Sequence, residues 1–141
     1  MKLVALKITS EFRNLKGLNL SFDSANDTHV IIGNNGTGKT NILEALSSVF
    51  STLLRHSTDF MFSFVLRYEI NDITYRVKHD KVTATTEYKK DDVAVTDADM
   101  IYPIRIVCNY SGEDTRMWYN YYKKANEEYL ESVRTAEAPN V

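Results

Sequence analysis

The sequence predicts an α/β fold with some α+β character, and three observations lead to that prediction. A glycine-rich loop, Gly33–Thr40, separates a short apolar run from a long amphipathic segment. The amphipathic segment carries apolar residues at helical spacing. Further along, apolar and polar residues alternate from Phe62 to Ile70, as in an antiparallel sheet with one solvated face. We therefore expect a central sheet, a helix directly after the loop and an antiparallel β-meander.

Length and composition limit the classes of protein. The chain has 141 residues, of which 43% are hydrophobic, and a formal net charge of -2. These values suit one globular domain and provide no basic field for nucleic acid or an anionic membrane. A single cysteine cannot close an internal disulfide, and no apolar run reaches the roughly 18 residues of a membrane helix. The composition predicts a soluble protein of the cytoplasm, with no membrane partner.

Residues 1–56 are expected to hold strands, the glycine-rich loop and the first helix. Leu3–Ile8 and Leu18–Phe22 alternate as strands do, and a polar connection separates them. His29–Ile32 is short and apolar, which is typical of a central strand buried on both faces. Apolar residues then recur at three- and four-residue spacing, which predicts a helix over Lys39–Leu54.

Residues 61–90 are expected to form a separate antiparallel β subdomain. After the strand Phe62–Ile70, turn residues precede Ile73–Val77, and a further turn leads into Val82–Tyr88. The charged segment Lys89–Asp99 is expected to be a loop. Its four aspartates favour a solvated turn, with a metal contact as the alternative.

Residues 104–134 are expected to add one strand, Ile104–Cys108, and a long helix over 113–134. The predicted helix has an apolar stripe of Trp118, Tyr122, Ala125, Tyr129 and Val133, with Lys123/Glu127 and Lys124/Glu128 pairs outside. Basic and aromatic residues alternate in Arg116–Lys124, which raises contact with DNA as an alternative. The stripe already explains the aromatic residues as packing residues. Cys108 is expected to be a buried thiol.

The loop Gly33–Thr40 matches the pattern G-x-x-x-x-G-K-[ST] of a phosphate-binding loop. Its glycines let the backbone curl so that N–H groups point at an anion, and the following helix adds its positive end. We predict that Lys39 contacts the β- and γ-phosphates and that the Thr40 hydroxyl binds Mg²⁺. The other predicted phosphate-binding residues are Asn34, Asn35, Gly36, Thr37, Gly38 and Asn41.

The surroundings of the loop resemble a known group of ATPases. Phe12-Arg13-Asn14-Leu15, then Leu20-Ser21-Phe22, then Ile31–Leu46 are similar to the heads of SMC, RecF and OLD proteins, which are ABC-type, AAA-annotated P-loop ATPases. A weaker match over Ile106–Gly112 looks like the phage-defence members of the group. The resemblance implies that the nucleotide is ATP and that Arg13 approaches its phosphates; the equal alternative for Arg13 is a solvated loop residue. Phe12 is interpreted as a core anchor rather than an adenine-stacking residue.

The chain departs from that group in ways that are informative. No apolar run ends in the acidic pair that such heads use to position water and Mg²⁺, and no Ser-Gly-Gly signature loop or switch histidine follows. The glutamine sensor of the family is absent, since the sequence contains no glutamine. In these ATPases the missing elements lie in a C-terminal half. The resemblance therefore implies that residues 1–141 are the N-terminal lobe of a longer ATPase, and we expect this lobe not to hydrolyse ATP alone.

The resemblance also implies partners. These are the C-terminal half of the ATPase, a second head in a head-to-head homodimer, and DNA or a partner nuclease in DNA repair or phage defence. Two alternatives stay open. One is a self-contained P-loop kinase or GTPase, for which Glu113 or Asp114 would supply the carboxylate. The other is a non-catalytic interaction module with a vestigial loop. His29, His56 and His79 lack metal-ligand spacing and are expected to be structural or surface residues.

Overall fold

The computed structural model describes residues 1–23, 25–26, 28–107, 115 and 118–136. The chain divides into two compact units, Met1–Ile106 and Val107–Val141. The first unit contains β1 (Lys2–Ile8), β2 (Asn19–Ser21), α1 (Lys39–Leu53), β3 (Phe64–Ile70), β4 (Ile73–Asp80), β5 (Thr85–Lys90), β6 (Val93–Val95) and a 3₁₀ turn (Asp97–Asp99). All described strands form one antiparallel sheet in the order β2-β1-β3-β4-β5-β6.

The core of the first unit lies on one face of this sheet. Alternate residues of the central strands are buried, and the register aligns them in rows across the strands, such as Leu6 on β1, Leu66 on β3 and Val77 on β4. This is the period-two alternation expected where only one face of a sheet packs against a core. Phe50 of α1 contacts the ring of Tyr68 at 5.9 Å between centroids, so α1 packs on this face.

Two hairpins of the sheet turn on a pair of residues with positive φ. Asn71 and Asp72 connect β3 to β4 with φ values of 52° and 60°, and Asp91 and Asp92 connect β5 to β6 with values of 46° and 62°. Two-residue turns with both φ values positive match the right-handed twist of the flanking strands, and asparagine and aspartate tolerate this conformation best after glycine. The sequence thus terminates these strands at defined positions.

The predicted meander is confirmed, and the mixed α and β content agrees with the predicted fold class. The strands β3, β4 and β5 pair in order. The segment predicted as a charged loop is instead partly regular: it contributes the end of β5, all of β6 and the 3₁₀ turn Asp97–Asp99. Because the described sheet has no parallel pair, the first unit is α+β in its connectivity. The division into parts 1–56, 61–90 and 104–134 stays a prediction.

Two predicted strands are not present as strands. Residues 28–34 and 104–107 have no regular structure, and Val30, Ile32 and Ile104 are 80%, 87% and 96% exposed. The apolar character of these runs is compatible with a buried strand, but a strand requires a hydrogen-bonded neighbour. No described strand pairs with either run. The prediction of a buried central strand before the glycine-rich loop is therefore wrong for this chain. Cys108 lies outside the described residues.

The second unit is helical over its described residues 118–136. A π-helical turn, Trp118–Tyr122, leads into α2, Lys123–Ala136. Lys123 and Glu127 form the predicted ion pair at 3.8 Å, and Trp118 is 46% exposed. The predicted beginning of this helix, residues 113–114 and 116–117, and the side chains of Lys124, Ala125, Glu128 and Tyr129 lie outside the described residues. Within the part of the chain that is described, no helix has the length and apolarity needed to cross a membrane.

His79 makes the stability of the first unit depend on pH. The ring is almost fully buried on β4, lies 4.8 Å from the Phe60 ring and hydrogen-bonds through Nδ1 to the Thr86 hydroxyl at 2.9 Å. Burial lowers the pKa of His79 from its usual 6.5; Asp80 opposes that shift and Lys81 reinforces it. The unfolded chain therefore takes up a proton before the folded chain does as the pH falls.

We expect the free energy of unfolding to lose the contribution of His79 as the pH falls from about 6.5 towards the lowered pKa of the folded state. Urea unfolding between about pH 7.5 and about pH 5 measures this loss. The variant His79→Gln should show a shallower decrease over that interval. A decrease of the same steepness in both proteins would contradict the assignment to His79.

Candidate phosphate-binding site

The predicted phosphate-binding loop is a compact turn between residues 28–34, which have no regular structure, and α1. The backbone N–H of Thr37 approaches the carbonyl of Asn34 at 3.4 Å, and the Thr37 hydroxyl donates to the same oxygen at 2.8 Å. Gly36 and Gly38 have φ values of 84° and 100°. Glycine adopts this left-handed region without steric cost, which explains why the sequence places glycines at these two positions. These glycines and the contacts of Thr37 therefore set part of the loop conformation locally.

Lys39 lies over the beginning of its own loop. Its Nζ donates to the carbonyl oxygens of Gly33 at 2.6 Å and Asn34 at 2.7 Å. An ammonium group carries three donors, so two are used here by exposed backbone oxygens. A phosphate oxygen is a stronger acceptor for an ammonium group than a carbonyl oxygen, because it carries charge rather than a dipole. The ammonium group thus lies against the loop, bound to acceptors weaker than a phosphate.

The N-terminus of α1 is open to an anion. Gly38 occupies the N-cap position without a side-chain cap, and the first turn contains no acidic residue. The first N–H groups of a helix have no partner within it, and together with the helix dipole they favour negative charge. Thr40 stands in this first turn, and its hydroxyl makes no hydrogen bond to any described residue. The arrangement is compatible with a phosphate at the helix end and with Mg²⁺ on the threonine oxygen.

The connection between β1 and β2 packs against the loop. Asn14 donates from Nδ2 to the carbonyl of Gly36 at 3.3 Å, and its Oδ1 accepts a hydrogen bond from Asn41 Nδ2 at 2.8 Å. A Cβ at position 38 would lie 2.8 Å from the same Oδ1. No role for Asn14 follows from the sequence alone. The only signal was its place beside Arg13 in the Phe-Arg-Asn run, and nothing in the local sequence shows that this run reaches residues 22 to 27 positions later.

Arg13 is placed on α1 rather than on the loop. Its guanidinium group pairs with Glu44 at 2.9 Å, and the Glu44 side chain is only 1% exposed. A buried carboxylate needs such a partner, because an unpaired charge in the core is costly. The backbone of Arg13 has a φ of 52°, an uncommon value for a residue with a side chain. Contact between Arg13 and phosphate stays a prediction, as do the phosphate contacts of Asn34 to Asn41.

The aspartates of the segment Asp91–Asp99 are occupied by protein contacts. Asp97 accepts from the Tyr102 hydroxyl and from His56 Nδ1, the latter at 2.7 Å. Asp99 accepts from the side chain and backbone of Thr96, and these hydrogen bonds lower its pKa. Among the described residues, no group of three histidine, cysteine, aspartate or glutamate side chains could hold a metal ion. Glu113 and Asp114, the carboxylates considered for a kinase or GTPase, lie outside the described residues.

Comparison with known proteins assigns the chain to a family. No curated protein matches the sequence. The family described as the AAA ATPase domain matches residues 1–138, which is nearly the whole chain and includes the loop, α1 and the sheet. Membership in that family supports binding of ATP, and the loop with its lysine and uncapped helix stands where such binding would be expected. The chain belongs to the AAA ATPase domain family.

Proposed function

We propose that this chain binds the phosphates of Mg-ATP through Gly33–Thr40, as the N-terminal lobe of an SMC/RecF/OLD-like ATPase. The observation that carries the proposal is the loop itself. It brings together a lysine ammonium, two glycines in the left-handed conformation and an uncapped helix N-terminus within a short stretch of chain. Each of these features favours an anion, and nothing acidic in the first turn of the helix opposes it.

In the proposed complex, Lys39 exchanges its two carbonyl partners for oxygens of the β- and γ-phosphates. The N–H groups of the first turn of α1 donate to the phosphates as well. The Thr40 hydroxyl is the ligand that this chain offers to Mg²⁺, and the ion neutralises phosphate charge when bound. Arg13 either keeps its ion pair with Glu44 or leaves Glu44 to contact the nucleotide. The resemblance of the chain to SMC, RecF and OLD ATPases favours contact with the nucleotide.

The wider role follows the same resemblance. The acidic pair and signature loop that complete such a site would come from a C-terminal half and from a second head in a head-to-head dimer. Hydrolysis would then serve an action on DNA or on a partner nuclease, in DNA repair or phage defence, within the cytoplasm. On this proposal the present chain binds nucleotide weakly and turns over very little ATP alone.

The proposal is tested by titrating the chain with fluorescently labelled ATP in the presence of Mg²⁺. We expect Lys39→Ala to weaken binding at least about tenfold, because hydrogen bonds to charged groups contribute about 1.5–3 kcal/mol each. Lys89→Ala, which makes the same charge change on β5, should bind as the unmodified chain does. Equal affinities of the unmodified chain and Lys39→Ala would reject the loop as the binding site. Rapid hydrolysis by the chain alone would reject the incomplete-site interpretation.

A further inference from the structure

One side chain outside the motif contacts three positions within it. Asn14 holds the carbonyl of Gly36 with its amide N–H, receives the amide of Asn41 on its oxygen, and lies against the open Cα of Gly38. An asparagine side chain carries donors and an acceptor on one rigid plane, so it can serve the loop and the helix at once.

The contact with Gly36 holds the Gly36–Thr37 peptide group of the predicted phosphate-binding loop. The carbonyl of Gly36 and the N–H of Thr37 belong to one planar peptide unit, so holding the oxygen also fixes the N–H. Gly36 has no Cβ to restrict it, and a Cβ at that position would meet nothing within 4 Å. The N–H end of this peptide unit is held within the loop by the carbonyl of Asn34, and Asn14 holds its oxygen end from outside the loop.

Asn14 is itself anchored on both sides. The neighbouring Phe12 and Leu15 are 6% and 3% exposed, and the N–H of Leu15 donates to the carbonyl of Phe12 at 2.9 Å. The exposed asparagine thus projects from a tight turn whose apolar residues are embedded in the core. A side chain on such a turn loses little additional freedom when it binds the loop.

We propose that Asn14 is a positioning residue of the phosphate site, which holds the Gly36–Thr37 peptide and the first turn of α1 in the conformation that receives phosphate. This inference rests on the proposed function. Asn14 acts through the loop and need not touch the nucleotide. Asn14 also links the β1–β2 connection to both the loop and α1, since the same side-chain amide contacts Gly36 and Asn41.

The test compares the affinity for labelled Mg-ATP with the melting temperature of the nucleotide-free chain. We expect Asn14→Ala to weaken binding about three- to tenfold, because the variant loses the hydrogen bonds with Gly36 and Asn41, while the melting temperature changes little. Asn14→Asp keeps the acceptor for Asn41 but loses the donor to Gly36, so it should bind the nucleotide at least as weakly as Asn14→Ala does. Asn19→Ala is the matched control, because Asn19 is an exposed β2 residue with no side-chain hydrogen bond to any described residue.

A double-mutant cycle adds a readout that a general loss of stability would not reproduce. Asn14→Ala and Asn41→Ala together should weaken binding less than the product of their separate effects, since they remove one shared contact. Unchanged affinity of Asn14→Ala would overturn this inference and leave the proposed function standing. Weaker binding together with a clear fall in the melting temperature would assign Asn14 a structural role and would also overturn this inference. Failure of the unmodified chain to bind, or equal binding by Lys39→Ala, would overturn the proposed function and this inference with it.

Discussion

Replacing Gly38 by alanine should destabilise the chain by about 2–4 kcal/mol and abolish detectable nucleotide binding. Gly38 has a φ of 100°, where a residue with a Cβ is strained. The new Cβ would also lie 2.8 Å from Asn14 Oδ1 and 3.0 Å from Leu15 Cδ2. Asn14 is exposed and can move away, but it would then lose both Gly36 and Asn41. The substitution therefore distorts the N-terminus of α1 and releases the loop at the same time.

Gly17→Ala separates the two effects of that change. Gly17 also has a positive φ, 79°, but a Cβ there would meet nothing within 4 Å. Its alanine variant should cost only the backbone strain, about 1–2 kcal/mol, and retain nucleotide binding. Urea unfolding and titration with labelled Mg-ATP measure both quantities in both variants. If Gly38→Ala loses no more stability than Gly17→Ala and still binds nucleotide, the close approach of Asn14 to the loop does not matter.

The fold was predictable where the sequence pattern and the local pairing agree. The alternation in β3 and β4 and the helical stripe of α1 each point to one buried face, and two positive-φ turns fix where hairpins reverse. The apolar run 29–32 carried no such second signal. A short apolar run is equally compatible with a buried strand and with an unpaired segment, because only a partner strand distinguishes them.

The candidate site could be predicted from the motif, but its contacts with the rest of the chain could not. The spacing of glycines and lysine identifies Gly33–Thr40 because each residue type has a local reason: backbone freedom, charge and a hydroxyl. The contacts of Asn14 with Gly36 and of Arg13 with Glu44 join residues 22 and 31 positions apart. Such contacts depend on how the β1–β2 connection folds back over α1. No periodicity or spacing encodes that approach.

Phe12 anchors the β1–β2 connection to the core. The Phe12 ring is 6% exposed and lies 4.3 Å from the ring of Phe62, which in turn contacts Phe64 at 5.7 Å. This burial agrees with the interpretation of Phe12 as a core anchor. The aromatic cluster fixes the turn that carries Arg13 and Asn14. Loss of the ring would therefore leave a cavity in the core and loosen the support of the phosphate loop.

We expect Phe12→Ala to lower the free energy of unfolding by about 3–5 kcal/mol, since a buried phenyl group is lost and the cavity closes only in part. Phe22→Ala is the matched control, because Phe22 is only half-buried where it packs against the core and the His29 ring, so about 1–2 kcal/mol is expected. Phe12→Leu should recover at least half of the loss, as it restores apolar volume without the ring. Urea unfolding measures all three. Equal losses in Phe12→Ala and Phe22→Ala would show that the β1–β2 connection is not anchored through Phe12, and the support of the loop by Asn14 would then need another origin.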